Sequence, residues 1–145
     1  MAAALPQSYA NHRRYVVGFH VVTFGLLLLN LLYWVRAIYR YRTGLQIDGL
    51  VVAVALLLLF YYVRIFPLAV QDRVIRLEER LRLARLAPDL AARADELTAG
   101  QCIALRFASD AELPALARRV LDERIADREA IKKQIQSWRA DDLRA

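Results

Sequence analysis

The fold is decided by one stretch: Asp48-Gly-Leu-Val-Val-Ala-Val-Ala-Leu-Leu-Leu-Leu-Phe-Tyr-Tyr-Val-Arg-Ile-Phe-Pro-Leu-Ala-Val-Gln-Asp-Arg-Val-Ile-Arg-Leu-Glu-Glu-Arg-Leu-Arg-Leu-Ala-Arg-Leu86. From Leu50 to Tyr62 it is aliphatic and aromatic without a charge. After Arg64 and Pro67 it becomes a charged run in which apolar residues recur at helical spacing. As one helix it would span roughly 58 Å at about 1.5 Å per residue, twice the hydrocarbon core of a bilayer. One part belongs in lipid and the other in water.

Upstream lies a second apolar run, Tyr15 to Val35, preceded by His12-Arg13-Arg14 and interrupted by His20, Thr23 and Asn30. At about 20 residues it exceeds the apolar region of a secretory signal, and Tyr33-Trp34-Val35-Arg36 offers no small-residue cleavage site. We read it as a retained span. Aromatic rings with one polar edge favour the headgroup zone, and arginines extend their charge to water beside them. On this basis Arg13, Arg14, Tyr33, Trp34, Arg36, Arg40, Tyr61, Tyr62 and Arg64 are expected to anchor the two spans. Thr43-Gly44 supplies the turn, with Gly44 expected in the left-handed conformation and Asp48 expected to cap the second span. So short a connection forces antiparallel neighbours, giving a lead-in over residues 1–14 and a transmembrane hairpin over 15–66. Gly18 and Gly25 on one helix, and Gly49 and Ala53 on the other, are the small residues that could bring the helices close.

Charge agrees with a membrane and argues against nucleic acid. The 145 residues are 58% hydrophobic and carry a net charge of +6, with a pI near 9.9. Through Val70 there are six arginines against Asp48 alone, whereas from Gln71 onward fifteen bases face fourteen acids. The basic excess therefore flanks the spans. The water-facing part interleaves both signs and lacks the basic face that tracks phosphates. Arginines counted on the two sides favour both termini in the cytoplasm, although Arg36, Arg40 and Arg42 on the interspan loop oppose this.

Beyond Pro67, where a helix bend is expected, Val70, Val74, Leu77, Leu81 and Ala84 recur at spacings of 4-3-4-3 on a juxtamembrane helix, residues 67–87. This apolar seam either packs on the chain's own tail or receives a partner helix. Residues 88–145 form a small helical domain. Pro88 ends one helix and can start the next. Thr98-Ala-Gly-Gln101 and Ser109-Asp-Ala-Glu112 both have the spacing of a capping box. Asp127 can cap a last helix placing Ile131, Ile135 and Trp138 on one stripe, and Pro114 falls where it could distort the helix before it. The single Cys102 has no disulfide or metal-ligand partner and reads as a small core residue. The fold class is all-α: a transmembrane helical hairpin, a long juxtamembrane helix and a small C-terminal helical domain.

Leu97-Thr98, Gln101-Cys-Ile-Ala-Leu-Arg-Phe-Ala-Ser-Asp110, Glu112-Leu-Pro114 and Ile131-Lys-Lys-Gln-Ile-Gln-Ser-Trp-Arg-Ala-Asp141 resemble the corresponding parts of a bacterial family of short two-span membrane proteins, catalogued as a domain of unknown function. The resemblance covers most of the chain and is most specific in the tail. It implies a membrane hairpin with a helical cytoplasmic tail and carries over no catalytic residue.

The chemistry legible in the sequence is sparse. There is no glycine-rich phosphate loop, no Ser/His/Asp set and no metal-ligand spacing. The paired acids alternate with bases, as on solvated helix faces. We expect no enzyme and no obligatory cofactor. His20, the histidine placed in lipid, could ligate a haem or a chlorophyll-type pigment. Asn30 is expected to hydrogen-bond across helices, within this protein or to a partner, and Trp138 to be either tail core or a docking anchor. The leading expectation is an accessory or scaffold subunit of a larger bacterial inner-membrane complex, energy-transducing or transporting. It would touch the lipid bilayer, bound lipid and larger membrane-protein subunits. A pigment-binding subunit or a self-associating, homo-oligomeric membrane organiser are the alternatives.

Overall fold

The computed structural model describes residues 7–9 and 16–141. All regular elements among them are helical. A π-helical segment, Gly18–Thr23, runs directly into α1, Phe24–Tyr41, and α2 follows as Gly44–Leu86. A 3-10 helix, Pro88–Glu96, and three short helices complete the chain: α3, Ala99–Leu105; α4, Leu113–Asp122; α5, Arg128–Lys133. These residues form two compact units that divide between Leu68 and Ala69, with residues 7–9 in the second unit.

The first unit holds two helices, Gly18–Tyr41 and the first part of Gly44–Leu86, each from a helix long and apolar enough to cross a membrane. Their contacts run antiparallel. Phe19 stacks on Phe60 with ring centroids 4.4 Å apart. Towards the turn, the Trp34 ring lies so close over Gly49 that a Cβ there would clash with its carbons. Ala37 and Ala53 are buried between the helices, whereas most of the aliphatic side chains are exposed. Gly49 and Ala53 thus make the close approach expected of small residues. Gly18 and Gly25 do not, since neither has a neighbour within 4 Å of its Cβ position.

Three local expectations are corrected here. The left-handed residue is Arg42, with φ 52° and ψ 42°, and its amide donates to the Ile38 carbonyl at 3.1 Å. Gly44 instead opens α2, because Thr43-Gly-Leu-Gln46 already has helix-start spacing and the Thr43 hydroxyl donates to the Gln46 side-chain oxygen. That leaves Arg42 and Thr43 to reverse the chain. Asp48 consequently lies inside α2 and caps nothing. Lastly, the first apolar helix does not begin as an ordinary α-helix. Its π-helical segment carries the Thr23 hydroxyl donating back to the Gly18 carbonyl at 3.0 Å, a side-chain bond that satisfies a backbone acceptor within the wider turn.

α2 continues through Pro67 to Leu86, so residues 67–86 are its second half and not a separate helix. Pro88 starts the 3-10 helix, where its missing N–H costs nothing. The core of the second unit gathers Leu83, Ala87, Leu90, Leu97, Cys102, Leu105, Leu113, Leu116, Val120 and Ile131. Each large apolar side chain buried there contributes roughly 1.5–3 kcal/mol. Thr98 and Gln101 form the complete reciprocal capping box on α3, and Gln101 Nε2 also donates to the Ile125 carbonyl at 2.9 Å. Asp127 caps α5 by accepting from the amides of Glu129 and Ala130.

The second capping box does not form. α4 starts without a side-chain cap, because the Glu112 carboxylate accepts instead from the backbone amides of Gln136 and Ser137, both at 2.9 Å. Pro114 sits within the first turn of α4, where it is tolerated. α5 ends at Lys133, so Ile131, Ile135 and Trp138 are not one helical stripe. The chain becomes extended and pairs with residues 107–109: Ser109 N–H donates to the Ser137 carbonyl at 3.0 Å and Arg139 N–H to the Phe107 carbonyl at 2.7 Å.

Candidate functional site

In the second unit, α2 has two apolar faces. The tail packs on the one holding Ile75, Glu79, Arg82 and Leu83, all buried. At 100° per residue these lie about 120–180° around the helix from Val70. Val70, Val74, Leu77 and Leu81 occupy the opposite face and are 61%, 46%, 57% and 64% exposed. The tail-packing alternative for this seam is therefore overturned, and the reason is chemical. Glu79 and Arg82 look like surface charges in the sequence, but they bond inward.

Arg82 organises that inward face. Its guanidinium donates to Asp110 Oδ1 at 2.7 Å, to the Ala108 carbonyl at 2.7 Å and to Glu79 Oε2 at 3.2 Å. Burial pushes the Glu79 carboxyl above its usual range despite the Arg82 charge. The bond to Arg82 holds Asp110 below its usual range. Beside this cluster, Arg106 pairs with Asp141 at 3.1 Å and lies 4.5 Å over the Phe107 ring. Phe107 also stacks on Trp138, with centroids 4.6 Å apart and planes 18° from parallel. Trp138 is thus part of the tail's packing.

A groove of about 940 Å³ borders these residues, lined among others by Glu78, Arg82, Arg85, Asp110, Arg139 and Asp141. Its charges alternate in sign, and carboxylates neutralise Arg82, so it is no phosphate cradle. Among the described residues no group of three His, Cys, Asp or Glu could hold a metal ion. Cys102 is buried. Its thiol is pushed up to about 11, first by burial and then by the Glu79 charge, so it is no nucleophile at neutral pH.

In the first unit, His20 lies in the π-helical segment. Its Nδ1 is 2.9 Å from the Val16 carbonyl oxygen and 3.2 Å from the Val16 amide nitrogen, and its ring meets Phe19 edge-on at 5.3 Å. Asn30 is exposed on α1 and makes no hydrogen bond among the described residues, so a bond across to α2 is absent. Of the expected anchors, Tyr33, Arg36, Arg40, Tyr61 and Tyr62 are exposed and Arg64 is half-buried. Trp34 packs over Gly49 and is half-buried. Arg13 and Arg14 lie outside the described residues.

A family model described as "Family of unknown function (DUF6526)" matches residues 1–145. The chain belongs to DUF6526. No curated protein and no solved structure matches it. In this DUF6526 chain the tail motifs turn out to be the residues that tie the second unit together: Gln101 at a cap, Asp110 on Arg82, Glu112 on two amides, Trp138 on Phe107 and Asp141 on Arg106. Sequence reasoning missed Glu79 and Arg82. The available signal was the apolar pair Ile75 and Leu83, which flanks them on a second helix face.

Proposed function

We propose that this protein is a non-enzymatic accessory or scaffold subunit of a larger bacterial inner-membrane assembly. Its two apolar helices form a membrane hairpin with both termini in the cytoplasm, and its helical tail lies at the cytoplasmic face. The observation that carries the reading is Asn30. It sits at the middle of the candidate span Gly18–Tyr41, exposed and without a hydrogen bond among the described residues. An unsatisfied amide in hydrocarbon costs several kcal/mol by transfer scales, about 4–8 kcal/mol at the upper end. A polar group from a partner span removes that cost, and interhelical amide bonds of this kind are a recurrent glue between spans. Two further facts support the topology. Tyr9 donates to Glu129 at 2.9 Å and the Asp141 amide donates to Gln7 at 2.8 Å, so residues 7–9, which precede the first apolar helix, lie against the tail, as two spans require.

Purification in mild detergent tests the reading. A stoichiometric membrane partner is expected to co-purify and to be lost or weakened in Asn30→Leu. A chain that runs without any other protein would count decisively against it. The competing reading, a haem or chlorophyll-type pigment on His20, draws support from the π-helical setting and from the Val16 backbone, which engages Nδ1 and holds the ring in place. A visible absorption band abolished by His20→Ala is its signature, and a colourless pure protein removes it.

A further inference from the structure

We propose that two copies of this chain pair in parallel through the exposed α2 stripe Val70, Val74, Leu77 and Leu81. The inference deepens the membrane reading and rests on it for orientation. α2 runs on from the second apolar span, so two copies in one bilayer present this stripe in the same direction.

The 4-3-4 spacing assigns Val74 and Leu81 to a positions and Val70 and Leu77 to d positions of a heptad. Arg73 and Arg80 then occupy g, while Glu78 and Arg85 occupy e. In a parallel pair each g residue faces the e residue five positions on in the other helix. Arg73 therefore meets Glu78 of the second copy, twice by symmetry. The other pairing would set Arg80 against Arg85. Both are already engaged within their own chain: Arg80 is ion-paired with Asp95, and Arg85 lies 3.8 Å from Asp110. An antiparallel pair would instead bring Arg73 against Arg80. The antiparallel form has only like-charge pairs, whereas the parallel form balances each Arg80–Arg85 pair with an Arg73–Glu78 pair, and it is the form the membrane imposes.

The tail covers the face of Ile75 and Glu79, about 140–180° from Val70, and leaves the stripe itself exposed. On the e side Val74, Leu81, Glu78 and Arg85 share a groove with Asp110, Arg139 and Asp141, and the second helix would sit along its open edge. Two heptads are too short for a stable pair between free helices in water. Anchored in one membrane, however, the second copy arrives at high effective concentration, and no long-range search has to be overcome. The inference names the occupant of the seam as the chain itself, while Asn30 still addresses a different subunit.

Disulfide crosslinking of the full-length protein in native membranes tests it, using Leu77→Cys and, should that variant express badly, Val70→Cys at the other d position. The unsubstituted chain is the blank, because Cys102 is buried. The expected result is a crosslinked dimer for either variant and none for Glu123→Cys on the tail surface. Adding Glu78→Arg should reduce the dimer band several-fold, and adding Arg73→Glu to that chain should restore it. Only monomers in the carbonate-resistant membrane fraction would overturn the pairing and leave the membrane reading standing. A band to another protein, or a dimer indifferent to the charge swap, would likewise overturn it. Release of the chain by alkaline carbonate would remove the membrane reading and the parallel arrangement together.

Discussion

Glu79 and Arg82 form a buried pair whose two members are not equivalent. Desolvation raises the Glu79 carboxyl more than Arg82 lowers it, so the folded tail binds a proton there more readily than the unfolded chain. Its contribution to stability is consequently lost as pH rises through the folded-state value, above the ordinary glutamate range. Asp110 has the opposite sign. Its depressed carboxyl adds stability above the ordinary aspartate value, and this is lost as pH falls through the depressed one. Glu79→Gln keeps an acceptor for Arg82 and removes a buried charge, so it should raise the urea midpoint of the tail at pH 7 and flatten the loss above the glutamate range. Arg82→Ala strands Glu79 and the Ala108 carbonyl, and should cost about 3–5 kcal/mol. Urea titrations followed by Trp138 emission check both. Equal losses in the two variants would show that Arg82 stabilises the tail through Glu79 alone.

Among elements, the hairpin and the caps show how far spacing can be trusted. Gly49 is required by the Trp34 ring, which fills the place a Cβ would take. Gly49→Ala should therefore displace the indole and weaken the hairpin by about 1–3 kcal/mol. Gly25→Ala, with open space around it, should be neutral or add up to about 1 kcal/mol. Trp34 emission in detergent, read with Trp138 replaced by Phe, distinguishes them: a red shift is expected for Gly49→Ala and none for Gly25→Ala. The two capping-box spacings diverged for a related reason. Thr98 and Gln101 bond each other because no stronger partner competes. Ser109 and Glu112 do not, because amides 24 and 25 residues away capture the carboxylate. A local motif is legible only when its members are left to each other.

For the whole molecule, the second unit depends on the end of α2. Leu83 and Ala87 belong to the same core as Cys102 and Ile131, and Arg82 holds residues 108 and 110. A fragment of residues 69–145 should protect Cys102 from alkylation at about pH 7.5, well below the thiol's raised range. A fragment of residues 88–145 lacks Arg82 and Leu83 and has fewer than about 70–80 residues from which to build a core. It should react at the rate of an unfolded chain. Protection in the shorter fragment would show that the tail folds without α2.

The all-α class, the two apolar runs, the breaks at Pro88 and the caps at Thr98 and Asp127 were determined by the sequence alone. Each depends on residues within a few positions or on the length of an uninterrupted apolar run. The tertiary structure decided which face of α2 the tail takes, where Glu112 bonds, and that Trp138 leaves a helix to stack on Phe107. Those outcomes depend on groups far along the chain competing for the same partner. Periodicity placed Val70, Val74, Leu77 and Leu81 on one helix face but could not say that it stays exposed. The interior face of α2 carried Glu79 and Arg82, and a charged pair reads as surface until the carbonyl of Ala108 and the carboxylate of Asp110 are brought against it.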